Sequence, residues 1–137
     1  MADKVAFELV SPEKLLFSAE VDMVVVPGTE GDFGVLPGHA PFISTVRAGV
    51  LDIYDGGINP TNLKTRIFVA GGFAETADSR LTVLAEEAVP LADLDRGRIE
   101  ARLQDARARL SDADSADAKA EATRAVAVAE AMLAAAA

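Results

Sequence analysis

The sequence predicts a β-plus-α chain: an N-terminal antiparallel β-sandwich or flattened barrel over residues 1–88, then a C-terminal antiparallel two-helix hairpin over residues 89–137. Two observations carry this reading. Up to about residue 87, apolar and polar side chains alternate with period two between closely spaced turn signals. After Pro90, apolar residues recur instead at three- and four-residue steps. No helical pattern separates the strands to make crossovers, so a sandwich or barrel is expected rather than a parallel sheet.

The strands read as half-buried. Val5, Phe7 and Leu9 alternate with Ala6 and Glu8, Leu51 and Ile53 with Asp52 and Tyr54, and Leu81 and Val83 with Arg80 and Thr82. Turn signals punctuate them at Ser11-Pro12, Pro27-Gly28, Asp55-Gly56-Gly57, Asn59-Pro60, Gly71-Gly72 and Ala77-Asp78-Ser79.

Residues 27–41, PGTEGDFGVLPGHAP, gather four glycines, three prolines, two acids and the only histidine into what reads as one loop region. Glycine reaches backbone conformations that other residues resist and proline fixes its own φ, so such a stretch can form a stiff, shaped surface for a partner. A turn-rich connection around a small buried Phe33 is the plainer alternative.

Two helices are predicted, over about 93–110 and 115–135. Asp93 reads as the first N-cap, and Leu94, Ile99, Leu103, Ala106 and Leu110 form a stripe. Ser111 to Asp114 reads as a loop and Ser115 as the second cap, followed by Ala118, Ala122, Ala125, Ala129 and Met132 on one face. Alanine lets helix backbones approach closely but buries little area, at about 25 cal/mol per Å². A hairpin held this lightly is expected to be detachable. Arginine is concentrated on the first helix, at Arg96, Arg98, Arg102, Arg107 and Arg109, where pairs such as Asp105 with Arg109 suit a solvated face.

Composition narrows the function. At 137 residues the chain is one domain, or a compact domain with a helical appendage. It has no cysteine, which removes disulfides, a thiolate nucleophile and a cysteine-ligated zinc, and permits a reducing compartment. A net charge of -9 argues against nucleic acid as partner. Residues 1–4 lead straight into a strand pattern, so no secretory signal is expected. The most apolar run, 125–137, is interrupted by Glu130 and too short to span a bilayer, so membrane association is expected only through another protein.

No catalytic constellation assembles from these residues. A Ser-His-Asp arrangement would have to use His39, which sits between Gly38 and Ala40 in the glycine-rich loop. Glu30, Asp32 and His39 match neither a calcium loop nor a zinc helix motif, so no metal is expected. The glycines near Glu30 lack the Lys and Ser/Thr of a P-loop, and the acids there would repel phosphate.

The motifs VSPEKLLFS (10–18), EGDFGVLPGHAP (30–41), VAGGFAE (69–75), LTVLAEEA (81–88) and LDRGR (94–98), in this order and ahead of an alanine-rich helical tail, resemble the epsilon subunit of bacterial F-type ATP synthases, which corresponds to mitochondrial delta. The resemblance covers nearly the whole chain. It implies a non-catalytic central-stalk, or rotor, subunit that couples proton flow through the membrane ring to ATP synthesis, at the cytoplasmic face of the bacterial inner membrane. It implies as partners the gamma subunit and the c-ring, with the alpha/beta catalytic head a further one when the hairpin extends.

Carried over residue by residue, the resemblance makes Glu30, Gly31 and Asp32 c-ring contacts and Ser11, His39 and Ser44 gamma contacts. An extended first helix would present Arg98, Arg102 and Arg109 to acidic segments of the head and brake hydrolysis weakly. Nucleotide-binding members of the family carry Ile or Leu, Asp, two variable residues, Arg and Ala at the start of the first helix. Here Leu94, Asp95 and Arg98 match, but Ile99 replaces the alanine, and supporting polar positions fall on Val89, Asp105 and Val128. The motif is degenerate, no cofactor is expected, and ATP binding should be weak or absent. Two other readings stay open from the residues: a soluble ATP-sensing module whose hairpin folds around the nucleotide, and a small β-sandwich enzyme using His39.

Overall fold

The computed structural model describes residues 4–38, 40–56 and 62–136. It divides into two compact units, Met1–Pro90 and Leu91–Ala137. Among the described residues the first unit contains β1 (Val5–Val10), β2 (Leu15–Val21), β3 (Met23–Gly28), β4 (Gly31–Val35), β5 (Phe42–Thr45), β6 (Gly49–Tyr54), β7 (Leu63–Ala77) and β8 (Arg80–Pro90). The strands pair in the order β2-β1-β8-β7-β6-β3-β4, with β5 added beside β7.

All pairings are antiparallel except β1 with β8, which runs parallel. Parallel neighbours need a long connection, and here the intervening strands supply it in place of a crossover helix. The expected alternations are present: Val5, Phe7, Leu9, Leu51, Ile53, Leu81 and Val83 are all buried, and they join Val24, Val26, Val35 and Val69 in one core.

Two of the turn signals prove to lie inside strands. Pro27-Gly28 ends β3, both residues buried, and the chain reverses at Thr29-Glu30, so residues 27–41 begin as a β-hairpin rather than as one loop. Gly71-Gly72 lies in mid-β7. Across this pair the members of the core cluster change from Ile67 and Val69 to Ala74, although Phe68 and Ala70 are buried as well, and the pairing partner changes from β6 to β5. Both glycines have positive φ, 71° and 101°, which is how one strand turns this corner without shifting its register on β8, at the loss of the Gly71–Glu86 pair alone. Asp78 and Ser79, φ 51° and 61°, form the tight reversal into β8 as expected. Asn59-Pro60 lies outside the described residues.

In the second unit a 3-10 turn over Leu91–Asp93 precedes α1 (Arg96–Asp112) and α2 (Ala116–Ala136). The first N-cap is Asp95, not Asp93: Asp93 closes the 3-10 turn, whereas Asp95 is extended and its carboxylate accepts from the Gly97 and Arg98 amides. Helix α1 continues through Ser111 and Asp112, which the sequence reads as loop. Ser115 caps α2, its hydroxyl accepting from Ala118 N at 3.1 Å. The predicted stripes are the buried ones, Ile99, Leu103 and Ala106 on α1 and Ala122, Ala129 and Met132 on α2, with Leu94 and Leu110 half-buried.

Candidate functional site

The acidic end of the first unit is a two-residue hairpin turn between β3 and β4. Glu30 and Gly31 are exposed at its tip, Gly31 with φ 131°. Gly31 closes the hairpin opposite Gly28, and Asp32 follows it opposite Pro27. The turn does not stand alone. Thr29 N donates to Thr45 O at 3.1 Å, the Thr29 and Thr45 hydroxyls share a hydrogen bond at 2.7 Å, and Arg47 N donates to Pro27 O at 2.9 Å. The Arg47 guanidinium reaches Gly28 O at 2.7 Å and Asp32 Oδ1 at 2.6 Å. Asp32 is therefore already paired within the chain, while Glu30 makes no ion pair among the described residues. Sequence reasoning missed Arg47. The available signal was that it is the sole basic residue between Lys14 and Lys64 and lies near an acidic turn.

A second surface crosses five strands. Register places Leu15, Val10, Leu84, Phe73 and Thr45 side by side, and Ser18, Glu8, Thr82, Glu75 and Ile43 in the adjacent row on the same face. Leu15, Phe73 and Ile43 are 54%, 47% and 66% exposed, and Val10 and Leu84 are half-buried. Val10, Phe73, Glu75, Thr82 and Leu84 line a shallow hollow of about 230 Å³. A stripe of large apolar side chains on an otherwise acidic molecule marks an interaction surface. It too was missed, because the residues that compose it are distant in sequence and the parity change at Gly71-Gly72 turns Phe73 outward.

The serines of the sequence reading flank this stripe rather than compose it. Ser11 directly follows Val10, but its hydroxyl is engaged in the β1–β2 turn, accepting from Lys14 N and donating to Lys14 O, both at 3.2 Å. Ser44 lies between Ile43 and Thr45, pairs with the buried Ala74 on the opposite face, and donates to Thr45 O at 3.1 Å. His39 lies outside the described residues. Its neighbours are anchored: Gly38 N donates to Ser79 Oγ at 2.8 Å, and the buried Thr76 hydroxyl accepts from Phe42 N and donates to Ala40 O.

In the second unit, Arg98 is exposed, with its guanidinium 3.9 Å from Asp95, whose carboxylate already caps α1. The expected pair of Asp105 with Arg109 is present at 3.2 Å, and Arg107 meets Glu130 across the two helices at 3.4 Å. Arg102 is largely covered and engaged rather than free. Leu94, Asp95 and Arg98 thus supply one loosely held guanidinium, and Asp105 places a carboxylate two turns on. Among the described residues no helix is long and apolar enough to cross a membrane.

Residues 4–91 match the family "ATP synthase, Delta/Epsilon chain, beta-sandwich domain". Relatives described as ATP synthase epsilon chain include that of Rhodospirillum rubrum, 58% identical over 135 residues and covering 98% of both chains. Those of Paramagnetospirillum magneticum and Maricaulis maris are 58% and 50% identical, each over at least 98% of this chain. In fold the chain is similar to a chain of the Euglena gracilis mitochondrial ATP synthase, at TM-score 0.79, 24% identity and coverage of 98% and 82%. A chain of the Tetrahymena thermophila central stalk and c-ring gives 0.69, 16%, and 99% and 98%. With a family match over the whole sandwich and relatives alike over nearly their full length, this chain belongs to the delta/epsilon family of ATP synthase, whose members are non-catalytic central-stalk subunits of the rotary complex.

Proposed function

We propose that this chain couples the proton-driven membrane ring to the catalytic head, docking the gamma subunit on the stripe of Val10, Leu15, Ile43, Phe73 and Leu84 and the c-ring on the hairpin tip at Glu30. The complex would hold it at the cytoplasmic face of the bacterial inner membrane. The observation that carries this reading is that one strand serves both surfaces: Ile43 stands in the stripe, and Thr45, two residues on, is hydrogen-bonded to Thr29 at the tip. A load applied at the tip reaches the stripe through packed sheet rather than through a linker.

Membership of the complex is tested by purification from solubilised membranes, where gamma and c-ring chains should accompany this protein. Recovery as a free monomer would refute the proposal. Ile43→Asp with Phe73→Asp should release gamma while leaving the sandwich folded, because both side chains face solvent. Retention of gamma by that double variant would place its seat elsewhere.

A further inference from the structure

We propose that Arg47 is the positioning residue of the ring-facing hairpin and that Asp32 is its partner, which leaves Glu30 as the carboxylate offered for recognition; this rests on the ring-docking reading above.

The β3–β4 tip is short of restraints of its own. β3 pairs with β6 only at Met23, Val24 and Val25, so Val26 to Gly28 project beyond that neighbour and, of the strands, pair with β4 only. A two-stranded ribbon by itself is marginal in water. Gly31, with φ 131° and nothing within 4 Å of where a Cβ would stand, adds freedom at the turn. What fixes the tip comes from the end of β5 and the two residues after it. Gly28 forms a bridge with Val46, Thr29 bonds Thr45 twice, and Arg47 donates from its backbone to Pro27 O and from its side chain to Gly28 O and Asp32 Oδ1.

The guanidinium suits this place. It is a planar fork whose two terminal nitrogens donate at once in fixed directions, here one to each strand of the hairpin, on either side of the turn. An ammonium has the charge but not the fork. The same contact settles the charge of the tip. Arg47 and Asp32 neutralise each other at 2.6 Å, so a basic loop approaching the turn meets Glu30, which makes no ion pair among the described residues, in a held geometry rather than two mobile acids.

Charge and positioning predict opposite signs for one substitution, which makes the proposal testable. Arg47→Met removes a positive charge beside an acidic tip. If the tip worked only by net charge, docking on a basic ring loop would strengthen. If Arg47 positions the tip, docking weakens despite the added negative charge.

Binding of the full-length chain to purified c-ring should fall by about two- to fivefold for Arg47→Met, and by a similar factor for Asp32→Asn, the range of an exposed ion pair. The double variant should be no weaker than either single one, and Arg47→Lys should recover only part of the loss. Glu30→Gln should also weaken binding but, unlike the others, flatten its dependence on salt. Amide exchange of the isolated chain gives an independent reading: Thr29 N, which bonds Thr45 O, should exchange faster in Arg47→Met and Asp32→Asn and at the unaltered rate in Glu30→Gln.

Stronger ring binding by Arg47→Met, additive losses, or unchanged Thr29 exchange in both variants would overturn the proposal. If exchange responds as expected while none of the variants changes ring binding, the positioning role stands and the ring-docking reading fails.

Discussion

Gly72 lies so close to Leu84 on the neighbouring strand that a Cβ added to it would stand 1.7 Å from the Leu84 carbonyl oxygen. That obstacle is backbone and cannot move without opening the β7–β8 ladder. At Gly71 the nearest atom is the Glu86 carboxylate, at 2.7 Å, which can swing into solvent. Gly72→Ala should therefore cost at least about 3 kcal/mol, combining a clash with strain at φ 101°. Gly71→Ala should cost only the left-handed penalty of about 1–2 kcal/mol. Denaturant midpoints of the two variants give the order, and equal losses would contradict it.

Much of this architecture was legible because it depends on local periodicity. Val5, Phe7 and Leu9 announce their burial by alternation, and Ile99, Leu103 and Ala106 by helical spacing. The corner at Gly71-Gly72 was not legible. A glycine pair between two apolar runs reads as a turn whether the chain reverses or merely bends, and only the approach of Leu84 distinguishes them. For the same reason the apolar stripe and the Arg47 contacts were invisible: they depend on register between strands, and a side chain's local pattern does not reveal what lies across a ladder. Glu30 could be read as exposed from its turn. That Asp32, two residues on, is paired could not be read without the position of Arg47.

Lys4 gives the first unit an alkaline limit. Its ammonium lies 2.6 Å from Asp55 and 3.0 Å from Asp22, and these hydrogen bonds hold its pKa above the ordinary 10.5. A cation whose folded pKa is raised contributes stability that is fully present below the unfolded value and lost as pH rises through the folded one. Stability should thus be level near neutrality and fall above about pH 10.5, as Lys4 loses its proton. The group is partly exposed and the effect correspondingly small. Lys4→Met should flatten this decline, as followed by melting temperature against pH; an identical profile in the variant would assign the decline to other groups.

The core cluster supports independence of the first unit. Every member lies between Val5 and Ala85. A chain ending at Pro90 should keep its β-sheet circular dichroism and unfold in one cooperative transition. The helical unit relies on small contacts, with Ala106, Ala122 and Ala129 among its few buried residues, and helices of this length are marginal without packing. Residues 91–137 alone should be largely unfolded at room temperature. A molten or aggregated 1–90 chain would mean that its core is incomplete without the helices.

The helical unit's arginines should make a poor nucleotide latch and a weak brake. Binding a triphosphate takes several convergent donors, yet the Gly97 and Arg98 amides are committed to Asp95, Arg109 is held by Asp105, and Arg107 is held by Glu130. Each would have to give up an existing partner, and the carboxylate of Asp105 would remain to repel phosphate. Calorimetric titration of ATP into the full-length chain should detect no binding at micromolar concentrations, and Asp105→Arg with Val128→Arg should strengthen whatever binding remains. The same commitments bear on the brake. Were an extended helix to reach acidic segments of the catalytic head, Arg98 and Arg109 would exchange one set of ion pairs for another, each worth about 0.2–1 kcal/mol at an exposed site, and Arg102 would leave its present surroundings. Removing residues 91–137 from the assembled complex should then change ATP hydrolysis by no more than about fivefold, the equivalent of one such pair. Micromolar ATP binding would show that the pairs rearrange around nucleotide, and a many-fold activation on truncation would show that the extended helix gains contacts its ion pairs do not foretell.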